Sequence, residues 1–359
     1  MTVVAVAPLL LVALACLFDR LVGDPRWCLH PVVVMGWLIS RLRSLAERWA
    51  GDSPWLLRLA GGLITLLLVG GSGLAGWALE RLVVGFALGG IPAATGISLP
   101  LPVRIVAGPL LLIALASALA GRSLSQAVRA VLAALAVQDC PLARQRLSWI
   151  VGRDTDGLDA PEILRAAAET ASENAVDGLF APLFWMLVGA GFWSTGALAA
   201  PGPLALAWAF KAASTLDSML GYRRGRLRWL GTAGARLDDL LVWLPCRLVA
   251  LSLPLAAGAA PWTAWQQFKA ACRDGAPDPS PNAGLSQAAY AHAVGVQLGG
   301  LNHYGGEVRS KPVLAAGQPP ADAVAVERML LLSSRLQMLW LLVALAAVAP
   351  LQAAVRHAG

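Results

Sequence analysis

Apolar residues in this chain run in long blocks, and the polar ones gather between them. Residues 1–18 (MTVVAVAPLLLVALACLF) carry no charge. As a helix they measure about 27 Å against a hydrocarbon core of about 30 Å. Residues 59–79, 105–121 and 336–355 form three more blocks of that kind. Residues 179–210 are uncharged throughout and interrupted at Pro201-Gly202-Pro203, which predicts a hairpin of two short helices. The pattern predicts an all-α chain. It is a polytopic helical integral membrane protein forming one membrane-embedded domain over 1–359, with polar helices and loops gathered on the cytoplasmic face. Those polar segments lie at about 19–58, 122–178, 211–239 and 263–328.

Composition agrees: 57% of residues are hydrophobic and only 14% charged, far greasier than an ordinary soluble domain. No Lys or Arg precedes Arg20, so the first block reads as a retained helix rather than a secretory signal with its basic start. The net charge of +7 has a location. Lys and Arg crowd into 20–58, 122–165, 211–236 and 269–328, whereas 80–104 holds only Arg81 and Arg104. The positive-inside rule places the four basic stretches in the cytoplasm of a multi-pass cell-membrane protein. Membrane lipid is an expected partner and nucleic acid is not. The five cysteines are scattered and never form CxxC, which points to neither a disulfide framework nor a zinc site.

The chemistry sits at the edges of the apolar blocks. In LDAPEILRAAAETASENAVDG (158–178), Asp159 and Glu162 have capping-box spacing, with Pro161 in the first turn. A helix is predicted to about Asp177, ending at Gly178. Glu169, Glu173 and Asp177 recur on one face, with Asn174 beside Asp177. Like charges so spaced repel by about 0.2–0.5 kcal/mol per pair. Arg165, one turn earlier, neutralises Glu169 in the plainest reading. Glu173 and Asp177 are left for a hard divalent cation held by carboxylates and substrate phosphate.

Other polar stretches add candidates. Asp24 and His30 follow the first helix, and Pro31 holds His30 extended. Lys211, Ser214 and Ser218 share a helix face near Asp217; Lys211 either snorkels to the headgroups or neutralises a phosphate. Asp238 and Asp239 precede an apolar run that also carries Arg247. Pro245 and Pro254 predict that 240–260 enters the bilayer and returns around Arg247 rather than crossing. That path keeps 153–177 and 273–306 on one face. Residues 273–312 read as a proline-studded loop, a small-residue helix capped by Asn282 and Ser286, and a glycine-rich loop. No GxxxxGK[ST] occurs, so any nucleotide is held without a Walker A loop.

Six motifs appear in order: GDPxxxxHPxxxMG at 23–36, VGRDT at 151–155, SENAVDGLFAPLFW at 172–185, KAASTLDSMLGYR at 211–223, ARLDDLLVWLPCRL at 235–248, and SPNAG with LGGLNHYGG within 280–306. Together they closely resemble the cobalamin-biosynthesis family CobD/CbiB, the adenosylcobinamide-phosphate synthases. The resemblance implies an ATP-dependent amide ligation. The free propionate of adenosylcobyric acid, a corrinoid, condenses with (R)-1-amino-2-propanol O-2-phosphate, with ATP and Mg²⁺ as cofactors. On that basis Glu173, Asp177, Asp238 and Asp239 are expected to hold Mg²⁺. Arg153, Lys211 and Arg223 are expected to bind ATP or aminopropanol phosphate, and His30 to relay the amine's proton. Asp24, Asp154, Asn174, Asp217, Arg236, Asn282 and Asn302 are expected substrate contacts. Two other classes stay open on the residues alone. A prenyl-diphosphate transferase wants Asp-rich pairs on two helices, which only Asn174/Asp177 and Asp238/Asp239 approach. A transporter wants charges at mid-membrane on broken helices, where only Arg247 and Arg335 qualify.

Overall fold

The structure, a computed structural model, describes residues 2–23, 30–87 and 101–358. In chain order the helices begin with α1 (Thr2–Leu21), α2 (Pro31–Ala50), α3 (Pro54–Ala87), α4 (Leu101–Ala116), α5 (Gly121–Ala136) and α6 (Cys140–Ser148). Next come α7 (Ala160–Ala175), a π turn (Val176–Phe180), α8 (Ala181–Ser194), α9 (Pro203–Leu220), the short α10 (Leu227–Leu230) and α11 (Thr232–Ala256). The chain finishes with α12 (Pro261–Gly275), α13 (Ala283–Val294), strands β1 (Leu298–Tyr304) and β2 (Glu307–Leu314), and α14 (Ala323–Ala358). Among the described residues, four helical stretches are long and apolar enough to cross a membrane: Pro54–Val84, Ala160–Ser194, Thr232–Ala256 and Ala323–Ala347. A fifth is added if Gly108–Ala116 and Gly121–Ala136 form one span. The chain is thus a mostly helical membrane protein.

By packing, the fold groups into two compact units. Unit one holds Met1–Ala120, Ala181–Leu241 and Leu341–Gly359; unit two holds Gly121–Phe180 and Val242–Trp340. In unit one, Ile39 of α2, Leu57, Ile64 and Leu68 of α3, Leu216 and Leu220 of α9 and Leu230 of α10 form a buried apolar cluster. A Cβ at Gly61 would lie 2.0 Å from the Leu230 carbonyl oxygen, so only glycine lets α3 come this close. The predicted hairpin is present as α8 and α9. Its turn is fixed by Glu80, fully buried on α3, which accepts from the backbone N–H groups of Gly202 (3.0 Å), Leu204 (2.6 Å) and Ala205 (3.3 Å). Gly202 has no side chain to cap α9, and the glutamate supplies that cap from another helix.

Unit two is built around α7. Asp159 and Glu162 form the expected capping box, each accepting from the other's backbone N–H at 2.9 and 3.1 Å. Ile163, Ala166, Ala167 and Phe180 are fully buried, and Tyr290 of α13 is buried with its hydroxyl 2.6 Å from Ser333.

Four expectations change. The helix does not stop at Gly178, because the π turn carries it into α8. A glycine costs a helix about 1 kcal/mol, which the apolar run LFAPLFW offsets by burial; π turns of this kind concentrate at functional sites. Residues 240–260 are not re-entrant, since α11 runs unbroken through Pro245 and Pro254. Pro245 offers no N–H to the Leu241 carbonyl, and the Trp185 indole N–H donates there instead, at 3.2 Å. After α11 the chain turns at Gly258 (φ 90°) into α12. The glycine-rich loop is a β-hairpin, so the fold is not purely α. Tyr304 pairs with Glu307 across Gly305-Gly306, whose φ values of 59° and 82° suit a type I′ turn. Finally, Asn282 occupies the N-cap position of α13 without capping it. The Ser280 hydroxyl accepts from the N–H groups of Asn282 (3.4 Å) and Ala283 (3.3 Å), and Ser286 bonds to the Ala283 carbonyl.

Candidate functional site

The predicted site residues divide between the units. Unit two holds Arg153, Asp154, Glu173, Asn174, Asp177, Asn282 and Asn302; unit one holds His30, Lys211, Asp217, Arg223, Arg236, Asp238 and Asp239. Asp24 lies outside the described residues.

In unit two the VGRDT loop, α7 and the hairpin are tied by one carboxylate. Glu169 accepts from Arg153 Nη2, from Arg165 Nη1 at 3.3 Å and from the Gly299 backbone N–H at 2.9 Å. Arg153 also donates to Asn302 Oδ1, which receives Arg165 at 3.1 Å. Arg165 reaches the carbonyls of Gly299 (2.8 Å) and Leu301 (2.9 Å) as well. Arg165 therefore neutralises Glu169 as expected, and Arg153 joins it. Next to this knot, Asp154 donates its N–H to the His303 carbonyl and accepts from Gly306 N–H at 2.8 Å. The Gly306 and Gly305 N–H groups hold its carboxyl below the usual range. Arg153, Asp154 and the carbonyl oxygen of Asn302 are thus engaged in seating the hairpin. One atom remains over: Asn302 Nδ2 is buried and has no protein partner among the described residues.

One turn along α7 the surroundings change. Glu173 Oε2 accepts from a neutral partner, Gln287 Nε2 of α13, at 2.6 Å. The nearest cation, Lys311 of β2, is shared with Asp278, 3.4 Å from its Nζ. Burial pulls the Lys311 pKa down, but Glu173 and Asp278 outweigh it and raise the value, so this lysine stays charged. Asp177 lies on the π turn within electrostatic reach of Cys246. Cys246 Sγ meets the Asn282 carbonyl at 3.3 Å, and Arg247 Nη1 meets Asn282 Oδ1 at 3.3 Å. Arg247 also lies over the Trp243 ring, 4.0 Å from its centroid. Carboxylates, amides and two cations from α7, the π turn, α11, α13 and β2 thus converge. Segments 153–177 and 273–306 pack directly together.

Sequence reasoning missed Gln287, Asp278 and Lys311. Gln287 lies one turn beyond the SPNAG motif, on a helix rich in alanine. Lys311 becomes legible only once 307–314 is known to be a strand paired with β1, which brings it back beside Asp278.

In unit one, Asp217, Asp239 and Lys211 all lie within electrostatic reach of Asp238. Asp238 Oδ1 is buried with no protein partner among the described residues. His30 caps α2: its Nδ1 accepts from Val32 N–H at 3.3 Å, and its backbone is extended, as Pro31 requires. Arg223 and Arg236 are exposed. Among the described residues, no three His, Cys, Asp or Glu side chains form a preformed metal cage. Mg²⁺ needs no such cage, since one or two carboxylates with phosphate oxygens and water suffice. The orphaned oxygen of Asp238 and the Glu173/Asp177 pair fit that role.

Comparison with known proteins bears on the same residues. A family model described as CobD/Cbib protein matches residues 12–333. The chain is 40% identical over 339 residues to "Cobalamin biosynthesis protein CobD" of Synechocystis sp., covering 94% of this chain and 91% of that one. It is 41% identical over 311 residues to the protein of the same name from Geobacter metallireducens, covering 87% of each. With "Cobalamin biosynthesis protein CbiB" of Salmonella arizonae it shares 37% identity over 305 residues, 85% of this chain and 86% of the other. No solved structure matches the chain.

Proposed function

Since the chain belongs to the CobD/CbiB family of cobalamin-biosynthesis proteins, we propose that it is an adenosylcobinamide-phosphate synthase. It joins the free propionate of adenosylcobyric acid to (R)-1-amino-2-propanol O-2-phosphate in an ATP- and Mg²⁺-dependent amide ligation, at the cytoplasmic face of the cell membrane. The observation that carries this reading is the contrast on α7. Glu169 is saturated by two arginines, while Glu173, one turn on, meets a neutral amide and shares its lysine. A carboxylate so placed has capacity left for a cation brought by substrate.

Bound Mg-ATP would supply the driving force, with its Mg²⁺ offsetting charge on the phosphates. Glu173 with Asp177, and Asp238 with Asp239, are the residues that would hold the metal. The chain's own groups bind and orient. Asn302 Nδ2, buried and without a partner among the described residues, would donate to a substrate oxygen. Lys311, kept charged by Glu173 and Asp278, and Lys211 offset phosphate charge. Proton movement at His30 uses Nε2, because Nδ1 is committed to Val32 N–H. Membranes containing the protein, given adenosylcobyric acid, aminopropanol phosphate and Mg-ATP, should yield a corrinoid heavier by the aminopropanol phosphate less one water. No such mass gain, with the protein folded and inserted, overturns the proposal.

A further inference from the structure

Unit two contains a second feature that none of the six motifs touches. A cavity of about 310 Å³ opens beside α14. Its wall is apolar, from Ala293 and Val294 at the end of α13 and from Leu331 and Leu332 of α14. Into it face two arginines of α14, Arg328 and Arg335. They stand seven residues apart, about 10.5 Å along the helix axis. Among the described residues, neither has a hydrogen bond or ion pair within the protein. The adjacent carboxylate, Glu327, is engaged by Arg129 through contacts of 3.1 and 3.2 Å.

Two guanidinium forks over an apolar wall recognise an anion that carries a hydrocarbon part, and the fork geometry matches phosphate or carboxylate. The position along the helix narrows the source. Residues 336–355 carry no charge, so Arg335 marks where the apolar run of α14 begins. Taking that uncharged run as the crossing sets its Arg335 end at the level of lipid phosphates, where basic side chains attract anionic headgroups. On the same helix Leu331, Met338 and Leu342 are 51%, 51% and 64% exposed, which leaves apolar surface beside the cavity for acyl chains.

We infer that the Arg328/Arg335 cavity binds the phosphate group of an anionic membrane phospholipid, whose chains lie along α14. A soluble phosphate ester offers the same charge without the tail, and the test separates the two.

Full-length protein in nanodiscs of phosphatidylcholine with graded phosphatidylglycerol is released into neutral detergent, and retained lipid is counted by native mass spectrometry. Wild-type protein should keep phosphatidylglycerol over phosphatidylcholine. Arg328→Gln with Arg335→Gln should retain it about tenfold less well, the loss expected when charge-assisted hydrogen bonds to one phosphate disappear. Arg48→Gln with Arg224→Gln removes the same charge from exposed positions outside the cavity and should match wild type. Equal retention by the cavity variant, or equal loss in the control pair, overturns the inference. So does displacement of the lipid by inorganic phosphate, which would make a soluble ester the occupant. Should the glutamine pair fail to fold, Arg335→Lys alone keeps the charge and loses the fork; unchanged retention there counts against the site.

Discussion

The two ends of α7 teach different things about acidic residues at a membrane edge. At Glu169 every acceptor is filled: two guanidiniums and a backbone N–H converge on a side chain only 4% exposed. Around Glu173 and Asp177 the helix widens into a π turn, and the neighbours include an amide, a shared lysine and a thiol. The first region closes the fold by seating the hairpin on α7. The second is the region that, in the proposed function, receives the cation brought by substrate. A sequence shows only three acids in a row; the cations nearby decide which acid is structural.

The largest effect should come from breaking the closed end. Arg153→Met leaves Glu169 and Asn302 short of a buried partner, and removing one member of a buried ion pair costs about 3–5 kcal/mol. Arg165 remains to offset part of that. Accumulation in membranes and the thermal unfolding midpoint should both drop. A variant that accumulates normally and loses only ATP or aminopropanol phosphate affinity would move Arg153 from the closed region to the binding one.

The open end should behave the opposite way. Glu173→Gln and Asp177→Asn should each cut turnover by about a hundredfold or more, with protein levels close to wild type. The Mg²⁺ needed for residual turnover should rise. Near-normal turnover in both variants would make this region structural as well and remove the contrast. Lys311→Met sharpens it further. Losing the shared cation should weaken apparent affinity for a phosphate-bearing substrate by about tenfold, read as a rise in KM with little change in kcat. A fall in stability alone would show that Lys311 only serves Asp278.

Much of this was legible before the fold was known, and the failures have definable causes. The capping box at Asp159/Glu162, the Arg165–Glu169 pair and the α8/α9 hairpin follow from local spacing, and the structure has all three. Gly178 and Pro245 were read as breaks because each weakens a helix by its own chemistry. Both were overridden from outside that chemistry, one by burial of the following apolar run and one by the Trp185 indole on the freed carbonyl. The hairpin is missed although Gly305-Gly306 is a two-residue turn signal, because a glycine-rich stretch reads as a loop until its φ > 0 positions are known. Gln287 and Lys311 were invisible for a different reason. Their significance is their distance from Glu173, and no local pattern encodes that.

The smallest effect tests whether the closed region is held partly by charge at its outer rim. Asp154 is exposed, yet the Gly306 and Gly305 N–H groups depress its pKa. A carboxylate whose folded pKa lies below its unfolded value of about 3.9 stabilises the fold fully above that value. It loses the contribution as pH falls through the lower folded pKa. The bracket on the Gly305-Gly306 turn should therefore be intact at neutral pH and weaken only in strong acid. Asp154→Asn keeps an acceptor oxygen but removes the charge, so the change is local. Hydrogen exchange over 302–308 should be faster in Asp154→Asn than in wild type at pH 6, and the difference should shrink as pH drops below about 4. A difference that persists unchanged into acid would mean that the hydrogen-bond geometry, rather than the charge, holds the turn. Asp154 would then belong with the neutral contacts of the hairpin, and the closed region would owe its electrostatics to Glu169 and its two arginines.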